Sequence, residues 1–275
     1  MTELETKFQT LRHLFAEYGQ VLVAFSGGVD SSFVLRVAHD VLDAKVVALT
    51  VRSPTVPEYD HRAAVELAQA LGVEHIVVDA DELEIPEYAA NPTNRCYFCK
   101  QHLFEICSAE ASRRGIPIIV DGANLDDLGD YRPGLKAAAE RGVRHPLVEA
   151  GLRKADVREL SRRLGLPTWS KPASPCLSSR FPYGTRITHE ALQRVARAEQ
   201  VLHDLGFRVC RVRYHQKLAR IEVPLADLPR LLEPEIRACV VEGFRAAGFE
   251  HVTVDLEGFR SGSLNEVLGL VAKKQ

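Results

Sequence analysis

The sequence has no excess of charge of either sign and no long run of apolar residues. Its 275 residues carry a formal net charge of −2 at pH 7, so the protein lacks the basic field that holds long nucleic acid. No apolar run approaches the roughly 20 residues of a membrane-spanning helix. The N-terminal segment MTELETKFQTLRHLF also lacks the apolar stretch and cleavage site of a signal peptide. We expect a cytoplasmic protein whose partners include neither a membrane nor nucleic acid.

Internal repeats and low-complexity tracts are also missing from the sequence. The hydrophobic content of 46% and the charged content of 26% are typical of a globular protein. The length allows one large domain or two modest ones. In a reducing compartment, the six cysteines indicate metal binding or catalysis more than disulfides.

The segment VLVAFSGGVDSS, residues 21–32, carries the strongest signal. The apolar run 21–25 predicts a buried strand, and apolar residues at helical spacing follow from Phe33 to Val41. A strand, a glycine turn and a helix form a phosphate-binding geometry, because the turn allows close approach and the helix N-terminus presents free N–H groups. The residues expected to bind ATP here are Ala24, Phe25, Ser26, Gly27, Gly28, Ser31, Ser32 and Asp30, the last as a ligand of Mg²⁺.

The loop differs from that of ordinary nucleotide triphosphatases, which ends in Gly-Lys-Ser/Thr, because it contains no lysine. The string SGGVDSS at 26–32 resembles instead the PP-loop of the ATP pyrophosphatases. This resemblance implies cleavage of ATP to AMP and pyrophosphate, with the AMP half used to activate a carboxylate or carbonyl oxygen. The alternative is an ordinary strand-to-helix turn capped by Asp30.

Strands and helices alternate through the first part of the chain. The predicted order is helix 3–18, strand 21–25, helix 30–42, strand 45–51, helix 58–71, strand 74–78, helix 98–114, strand 116–120 and helix 154–164. This order predicts an α/β fold, a parallel-sheet PP-loop domain of the adenine nucleotide alpha hydrolase-like type with helices on both faces. Because ligands of such sheets lie at the carboxyl ends of the strands, Arg52, Ser53 and Gly122 join the expected ATP-binding residues.

The pattern changes after a segment rich in serine and proline at 170–187, which we interpret as a hinge. Beyond it the predicted order is helix 190–205, strand 208–214, strand 219–223, helix 234–247 and strand 251–255. The sequence therefore predicts a PP-loop domain over 1–187. A smaller α+β domain for substrate binding and oligomerisation follows over 188–275.

A C-x-x-C pair, Cys96 and Cys99, lies near the start of a predicted helix, in the loop after the third strand. Its spacing fits an iron–sulfur site, a zinc site with His102, or a redox pair favoured by the helix N-terminus. Two merely packed thiols are the remaining alternative. The pair alone does not decide between these sites.

A further cysteine, Cys176, lies among serine, proline and arginine in the hinge, and Arg180 nearby favours a thiolate. Three thiolates on a four-iron cluster would leave one iron open for a ligand such as sulfide. The other cysteines lie in apolar surroundings and are expected to be small buried hydrophobes without chemistry, namely Cys107, Cys210 and Cys239.

Two arginines alternate on a predicted strand, so that Arg211 and Arg213 point to one face. Two guanidinium groups on one face suit a phosphate monoester, although a solvated strand face is an equal alternative. Glu199 and Glu222 either pair with these arginines or hold a cation.

Over nearly its whole length the chain resembles the LarE family of ATP-dependent sulfur transferases, which make the nickel-pincer cofactor of lactate racemase. The motifs that carry the resemblance are SGGVDSS at 26–32, Asp121-Gly122, DYRPGLKA at 130–137, SSRFPYGT at 178–185, RVRYH at 211–215 and DLEGFRSGSLNE at 255–266. The resemblance implies a pyridinium-3,5-biscarboxylic acid mononucleotide as substrate. ATP would adenylate each carboxylate in turn, and sulfur would then displace AMP to give a thiocarboxylate.

The resemblance also implies roles for individual residues. It places Ser179, Arg180, Arg211 and Arg213 at the phosphate of the mononucleotide, and Glu199 and Glu222 at a divalent cation. Family members with a single hinge cysteine surrender its sulfur, whereas members with three cysteines hold a [4Fe-4S] cluster whose open iron binds sulfide. Cys96, Cys99 and Cys176 match the second type, which requires a sulfide source. The family assembles as trimer-based hexamers, so a homo-oligomer, trimer or hexamer, is expected.

Three other functions remain open from the residues. A PP-loop tRNA thiolase also joins this loop to three cysteines, but it needs an RNA-binding surface, and the chain has neither a second C-x-x-C pair nor a basic run. Amide-forming PP-loop ligases have no use for three thiols. A module that binds ATP without chemistry is the last alternative.

Overall fold

The computed structural model describes residues 2–129, 133–172, 174–260 and 262–268. The first residues of the DYRPGLKA motif, 130–132, and position 261 of the DLEGFRSGSLNE motif lie outside the described residues. The chain divides into two compact units. The first comprises the chain up to Glu82 and Asn94–Ser174, and the second comprises Leu83–Thr93 and the chain from Pro175.

The helices and strands have the following bounds. The helices are α1 (Glu3–Tyr18), α2 (Val29–Leu42), α3 (Glu58–Leu71), α4 (Pro86–Ala89), α5 (Arg95–Arg114), α6 (Pro133–Glu140), α7 (Pro146–Glu149), α8 (Lys154–Arg163), α9 (His189–Asp204), α10 (Leu228–Leu231) and α11 (Pro234–Ala247). The strands are β1 (Val21–Ala24), β2 (Val46–Arg52), β3 (Glu74–Asp79), β4 (Ile118–Val120), β5 (Arg211–His215), β6 (Leu218–Glu222) and β7 (His251–Val254). Among the residues that the structure describes, no helix combines the length and apolar character needed to cross a bilayer.

The first unit contains a four-stranded parallel sheet in the order β3-β2-β1-β4. Successive residues of β1 belong to different cores, because side chains alternate between the faces of a strand. Val21 and Val23 pack with the cluster that includes Phe33 of α2. Leu22 packs on the other face with the cluster that includes Phe104 of α5. The predicted parallel sheet with helices on both faces is confirmed.

The register of the sheet brings the predicted ATP-binding segments to one edge. Ala24, the last residue of β1, pairs with Leu49 of β2, and the Phe25 N–H donates to the Leu49 carbonyl at 2.8 Å. The segments that leave β1, β2 and β4 therefore begin at the same carboxyl edge, where parallel sheets bind ligands.

The second unit contains a three-stranded sheet in the order β5-β6-β7. Strands β5 and β6 are antiparallel, and β6 and β7 are parallel. Helices α9 and α11 cover its core, which includes Leu202, Phe244 and Ile221. This is the smaller α+β unit that the change of pattern predicts, although its first strand begins at Arg211 and not at residue 208.

The units divide within the predicted 170–187 hinge, at Ser174 and Pro175, and the segment 83–93 lies in the second unit. The Tyr88 hydroxyl lies 2.6 Å from the Ser178 hydroxyl, and the Asn91 side-chain amide donates to the Pro182 carbonyl at 2.8 Å. These contacts explain why a segment that follows β3 belongs with residues far along the chain. The domain boundary at 187/188 remains a sequence-based prediction.

Candidate active site

Two glycines give the loop after β1 its shape. Gly27 has φ of +66°, and a Cβ there would lie 2.8 Å from Ala64 Cβ and 3.0 Å from Ala64 Cα. Both the left-handed backbone and the close approach of α3 therefore require glycine at this position. Gly28 precedes α2, and within the described residues no side chain makes a capping hydrogen bond there. The helix N-terminus can thus donate its N–H groups to an anion.

The serines of the loop form a local hydrogen-bond network. The Ser26 and Ser31 hydroxyls lie 3.1 Å apart, and the Ser26 N–H donates to Ser31 Oγ at 3.3 Å. Ser32, also predicted to bind ATP, is fully buried. The network fixes the loop around the start of α2, where phosphate oxygens would lie.

The segment after β4 packs directly on the start of α2. A Cβ at Gly122 would lie 2.7 Å from the Ser31 backbone nitrogen, so only glycine fits without moving the loop. The preceding Asp121 is buried, and its Oδ1 lies 2.7 Å from His145 Nδ1. This pair anchors the turn that carries Gly122 beside the loop.

The Asp121–His145 pair should make stability depend on pH. Burial alone would raise the pKa of Asp121, but the hydrogen bond with His145 and the charge of Lys100 lower it. The hydrogen bond with Asp121 raises the pKa of His145, against the effect of burial. Because the pKa of Asp121 is lower in the folded protein, the pair stabilises the fold above about pH 4, near the pKa of an unfolded aspartate. Because the pKa of His145 is raised in the folded protein, its contribution is complete below about pH 6.5, near the pKa of an unfolded histidine. The stabilisation is lost as the pH rises through the raised pKa of His145.

We expect His145→Gln to lower the free energy of unfolding by about 2 kcal/mol at pH 5.5, since it removes a charged hydrogen bond. The loss should shrink at pH 8.5, where wild-type histidine is neutral. Urea unfolding at both pH values measures this difference, with His13→Gln on the exposed face of α1 as the control. An equal loss at both pH values would contradict the prediction.

Asp30, the predicted Mg²⁺ ligand, lies on the first turn of α2 between two partners from distant segments. Its Oδ2 is 2.5 Å from Lys154 Nζ, and its Oδ1 accepts from the Asn124 side-chain amide at 3.4 Å. Lys154 is the first residue of α8, and its N–H donates to Asp126 Oδ2 at 2.9 Å. A lysine therefore stands beside a loop whose own sequence contains none.

Lys171 is a second lysine at this loop. Its Nζ donates to the Gly27 carbonyl at 3.2 Å and pairs with Asp60 at 2.8 Å. Sequence reasoning missed both lysines, because the only local sign of Lys154 is its place at the start of a predicted helix. Lys171 falls within the predicted hinge, which gives no sign of a contact with the loop.

The residues at the end of β2 have protein partners. Arg52 pairs with Asp79 at the end of β3, through contacts of 2.5 and 2.8 Å on the surface. The Ser53 hydroxyl is buried, lies 2.9 Å from the Thr55 hydroxyl and donates to Glu82. Their expected contacts with ATP remain predictions.

The C-x-x-C pair lies in the first turns of α5, which begins at Arg95 and not at residue 98. Three residues apart on a helix, Cys96 and Cys99 point to one side. Cys96 is exposed and Cys99 is half-buried, with the Cys99 thiol 4.0 Å from a carboxylate oxygen of Glu82.

The other cysteines divide between the core and the surface. Cys107 and Cys210 are buried, as expected, and burial raises the pKa of both thiols to about 12. The expectation of a buried Cys239 is wrong, because this residue is exposed. The buried face of α11 is formed by Val240, Phe244 and Ala247, and Cys239 lies off that face.

In the second unit, Cys176 lies at the start of a 3-10 turn, Leu177–Arg180. The side chain of Cys176 is half-buried. Arg180 is fully buried and pairs with Glu199 through two contacts of 2.8 Å. The Ser179 hydroxyl accepts from Arg180 at 2.9 Å.

A second buried pair joins Arg213 to Glu222, through contacts of 2.8 and 2.7 Å. Glu222 thus pairs with one of the two arginines expected for it, whereas Glu199 pairs with Arg180, which is not one of those two. The cation-binding role of both glutamates remains a prediction.

Arg211 has a different environment on the same face of β5. Its Nη1 donates to the Cys210 carbonyl at 2.6 Å, and its guanidinium lies 5.2 Å from the centre of the Phe259 ring. Burial lowers the pKa of Arg211, and the charges of Arg180 and Arg213 lower it further. Arg211 is therefore a buried guanidinium with two other arginines nearby.

The three cysteines expected to bind a cluster belong to different units. Cys96 and Cys99 lie in the first unit, and Cys176 lies in the second. Within the described parts of the chain, no three or more His, Cys, Asp or Glu side chains form a group able to hold a metal ion. Three thiols are suitable donors for iron–sulfur chemistry, so the cluster remains a prediction from the cysteine pattern.

Comparison with known proteins agrees with the loop geometry. A family profile described as NAD synthase matches residues 4–94. The chain is 40% identical over 269 residues to the pyridinium-3,5-bisthiocarboxylic acid mononucleotide synthase of Lactiplantibacillus plantarum, with 98% of this chain and 97% of the relative covered. The chain belongs to the LarE family.

Other relatives of this LarE-family chain divide into full-length and partial matches. An uncharacterized protein of Synechocystis sp. is 49% identical over 96% of this chain and 99% of its own length. A tRNA-specific 2-thiouridylase of Xanthobacter autotrophicus is 32% identical, over 56% of this chain and 49% of its own length. This LarE-family chain is therefore an enzyme, an ATP-dependent sulfur transferase with a PP-loop domain.

Proposed function

We propose that this enzyme adenylates the carboxylates of pyridinium-3,5-biscarboxylic acid mononucleotide with ATP and converts them to thiocarboxylates. The observation that carries the proposal is the full-length relationship to a protein named for the bisthiocarboxylic acid product. The loop after β1, residues 25–28, which we call the β1 loop, agrees with the proposal. The N–H groups at the start of α2 and the hydroxyls of Ser26 and Ser31 suit the phosphates of ATP.

The residues of the first unit would perform the activation step. A substrate carboxylate oxygen bonds to the α-phosphorus of ATP, and the bond to pyrophosphate breaks. The loop N–H groups and Lys154 would bind the departing phosphates. Asp30 would hold Mg²⁺, which supplies charge neutralisation between the phosphates when bound.

The residues of the second unit suit the phosphate of the mononucleotide. Arg211 and Arg213 lie on one face of β5, and a phosphate would balance the charge of the buried Arg211 guanidinium. Ser179 adds a hydroxyl beside them. A sulfur nucleophile would then attack the acyl carbon and displace AMP.

We propose that Cys96, Cys99 and Cys176 hold a [4Fe-4S] cluster, which supplies an open iron position for sulfide when bound. Cysteine thiolates are the protein ligands that such clusters use. A sulfide source is thus a required partner. A cytoplasmic location remains an expectation from the sequence. Assembly into a homo-oligomer, trimer or hexamer, remains an expectation from the family resemblance.

Mass spectrometry of an anaerobic reaction tests the function. Purified enzyme is incubated with MgATP, sulfide and the biscarboxylated mononucleotide, and both nucleotide and protein are weighed. We expect oxygen-to-sulfur exchange in the nucleotide, with AMP and pyrophosphate formed and the protein mass unchanged. A protein lighter by one hydrogen sulfide would instead mean that Cys176 is sacrificed.

Absence of exchange would overturn the substrate assignment. A parallel reaction with transfer RNA separates the tRNA thiolase alternative, because sulfur would then appear in the RNA. A reaction in which ammonia replaces sulfide separates the amide-forming alternative.

A further inference from the structure

We propose that Arg180 is a positioning residue that holds the backbone of Cys176 and does not contact the substrate phosphate. The proposal rests on the role of Cys176 in the sulfur transfer proposed above. It concerns the segment 175–180, which we call the Cys176 turn. The family resemblance implies instead that Arg180 binds the substrate phosphate.

The contacts of Arg180 point to the Cys176 turn itself. Its Nη1 donates to the Pro175 carbonyl at 2.7 Å and to the Cys176 carbonyl at 3.2 Å. Its Nε and Nη2 donate to the two carboxylate oxygens of Glu199, each at 2.8 Å. The guanidinium therefore bridges a buried carboxylate and the backbone on both sides of the Pro175–Cys176 peptide bond.

Burial separates Arg180 from any incoming phosphate. The side chain of Arg180 is 1% exposed and that of Glu199 is 3% exposed. A phosphate monoester would have to displace Glu199 and leave a buried carboxylate without its cation, which is costly. Arg213 has a buried carboxylate partner of its own in Glu222, whereas the contacts of Arg211 include a backbone carbonyl and an aromatic ring.

The pair of Arg180 and Glu199, which we call the clamp, is itself fixed to the rest of the second unit. Glu199 Oε1 also accepts the Val212 N–H at 2.9 Å, which ties the pair to β5. At the other end of the Cys176 turn, Arg213 Nη1 donates to the Ser179 carbonyl at 2.8 Å. Charged, buried hydrogen bonds at both ends hold the turn more rigidly than exposed contacts would. The backbone that carries the half-buried thiol of Cys176 is thereby held in place.

Cysteine labelling of Arg180→Lys tests the clamp. Lysine keeps the charge but loses the two-pronged contact with Glu199. The variant is made in full-length protein and again in chains with Cys96→Ala and Cys99→Ala, where no three-thiolate cluster shields Cys176. Iodoacetamide labelling is followed for each cysteine peptide by mass spectrometry. We expect Cys176 to be labelled about fivefold faster or more, since losing a hydrogen bond shifts a local opening equilibrium by about that factor.

Two cysteines of the same unit serve as internal controls. Exposed Cys239 should be labelled at an unchanged rate, and buried Cys210 should stay protected. An unchanged Cys176 rate would overturn the proposal. Labelling of Cys210 in step with Cys176 would also overturn it, in favour of a role in the stability of the whole unit. Glu199→Gln, which keeps the size of the side chain, should reproduce the selective effect on Cys176.

Steady-state kinetics separate positioning from substrate binding. We expect Arg180→Lys to lower kcat for sulfur transfer while KM for the mononucleotide changes less than about twofold. A rise in KM with unchanged kcat would return Arg180 to the phosphate site and overturn the proposal. If the wild-type enzyme transfers no sulfur to this nucleotide, the proposed function fails, but the labelling result still decides the clamp.

Discussion

Alanine at Cys96 or Cys99 is expected to remove bound iron and sulfide and to lower multiple-turnover sulfur transfer by about 100-fold or more. A thiolate lost from a three-ligand set leaves the cluster with too few protein ligands. Binding of MgATP should persist, because the predicted nucleotide site lies in the β1 loop and not on α5. Four assays on protein purified without oxygen test this prediction. They measure iron and sulfide content, absorbance, product formation and ATP affinity.

Cys239→Ala is the matched control for both cysteine variants, since it removes an exposed thiol from a helix of the second unit. It should change neither iron content nor turnover. A colourless wild-type enzyme that turns over fully, without bound iron, would refute the cluster. Loss of ATP binding in the Cys96 variant would show that α5 supports the nucleotide site and would weaken the assignment.

Methionine at Lys154 is expected to weaken MgATP binding by about 10- to 100-fold, the range that one hydrogen bond to a charged group contributes. The lysine reaches Asp30 from the start of α8, where its charge lies beside the loop expected to bind the outer phosphates. AMP lacks those phosphates, so its affinity should change little. Calorimetric titrations of both nucleotides measure the difference.

Lys7→Met provides the control for this second variant. Lys7 also contacts α8, through Asp156 at 3.5 Å, and it pairs with Glu3 on its own helix, so its replacement should leave both affinities unchanged. Equal losses of ATP and AMP affinity in Lys154→Met would mean that the lysine only neutralises Asp30. No loss at all would remove Lys154 from the phosphate site.

The parts of the fold that local sequence determines were predictable. Helix α1 covers the expected residues 3–18, and α3 covers 58–71 and ends at Gly72, whose left-handed conformation closes the helix. The strand, glycine turn and helix at 21–42 also follow from neighbouring residues. Periodicity and capping act over a few residues, so a single sequence reveals them.

Contacts between distant segments were not predictable in the same way. The lysines at the β1 loop come from positions 154 and 171, and no pattern near residue 30 points to them. The pairing of Arg180 with Glu199 depends on how a 3-10 turn meets α9. Sequence spacing suggested that arginines and glutamates lie together, but it did not reveal which arginine each carboxylate holds.

The placement of residues 83–93 in the second unit has a consequence for how the protein is made. As the chain leaves the ribosome, Tyr88 of α4 and the nearby Asn91 emerge before the first unit is complete, yet their hydrogen-bond partners, Ser178 and Pro182, emerge much later. During synthesis, Tyr88 and the nearby Leu83 therefore remain exposed until the residues that bury them have been made. A nascent chain stalled near residue 174 would present these apolar side chains to chaperones and proteases.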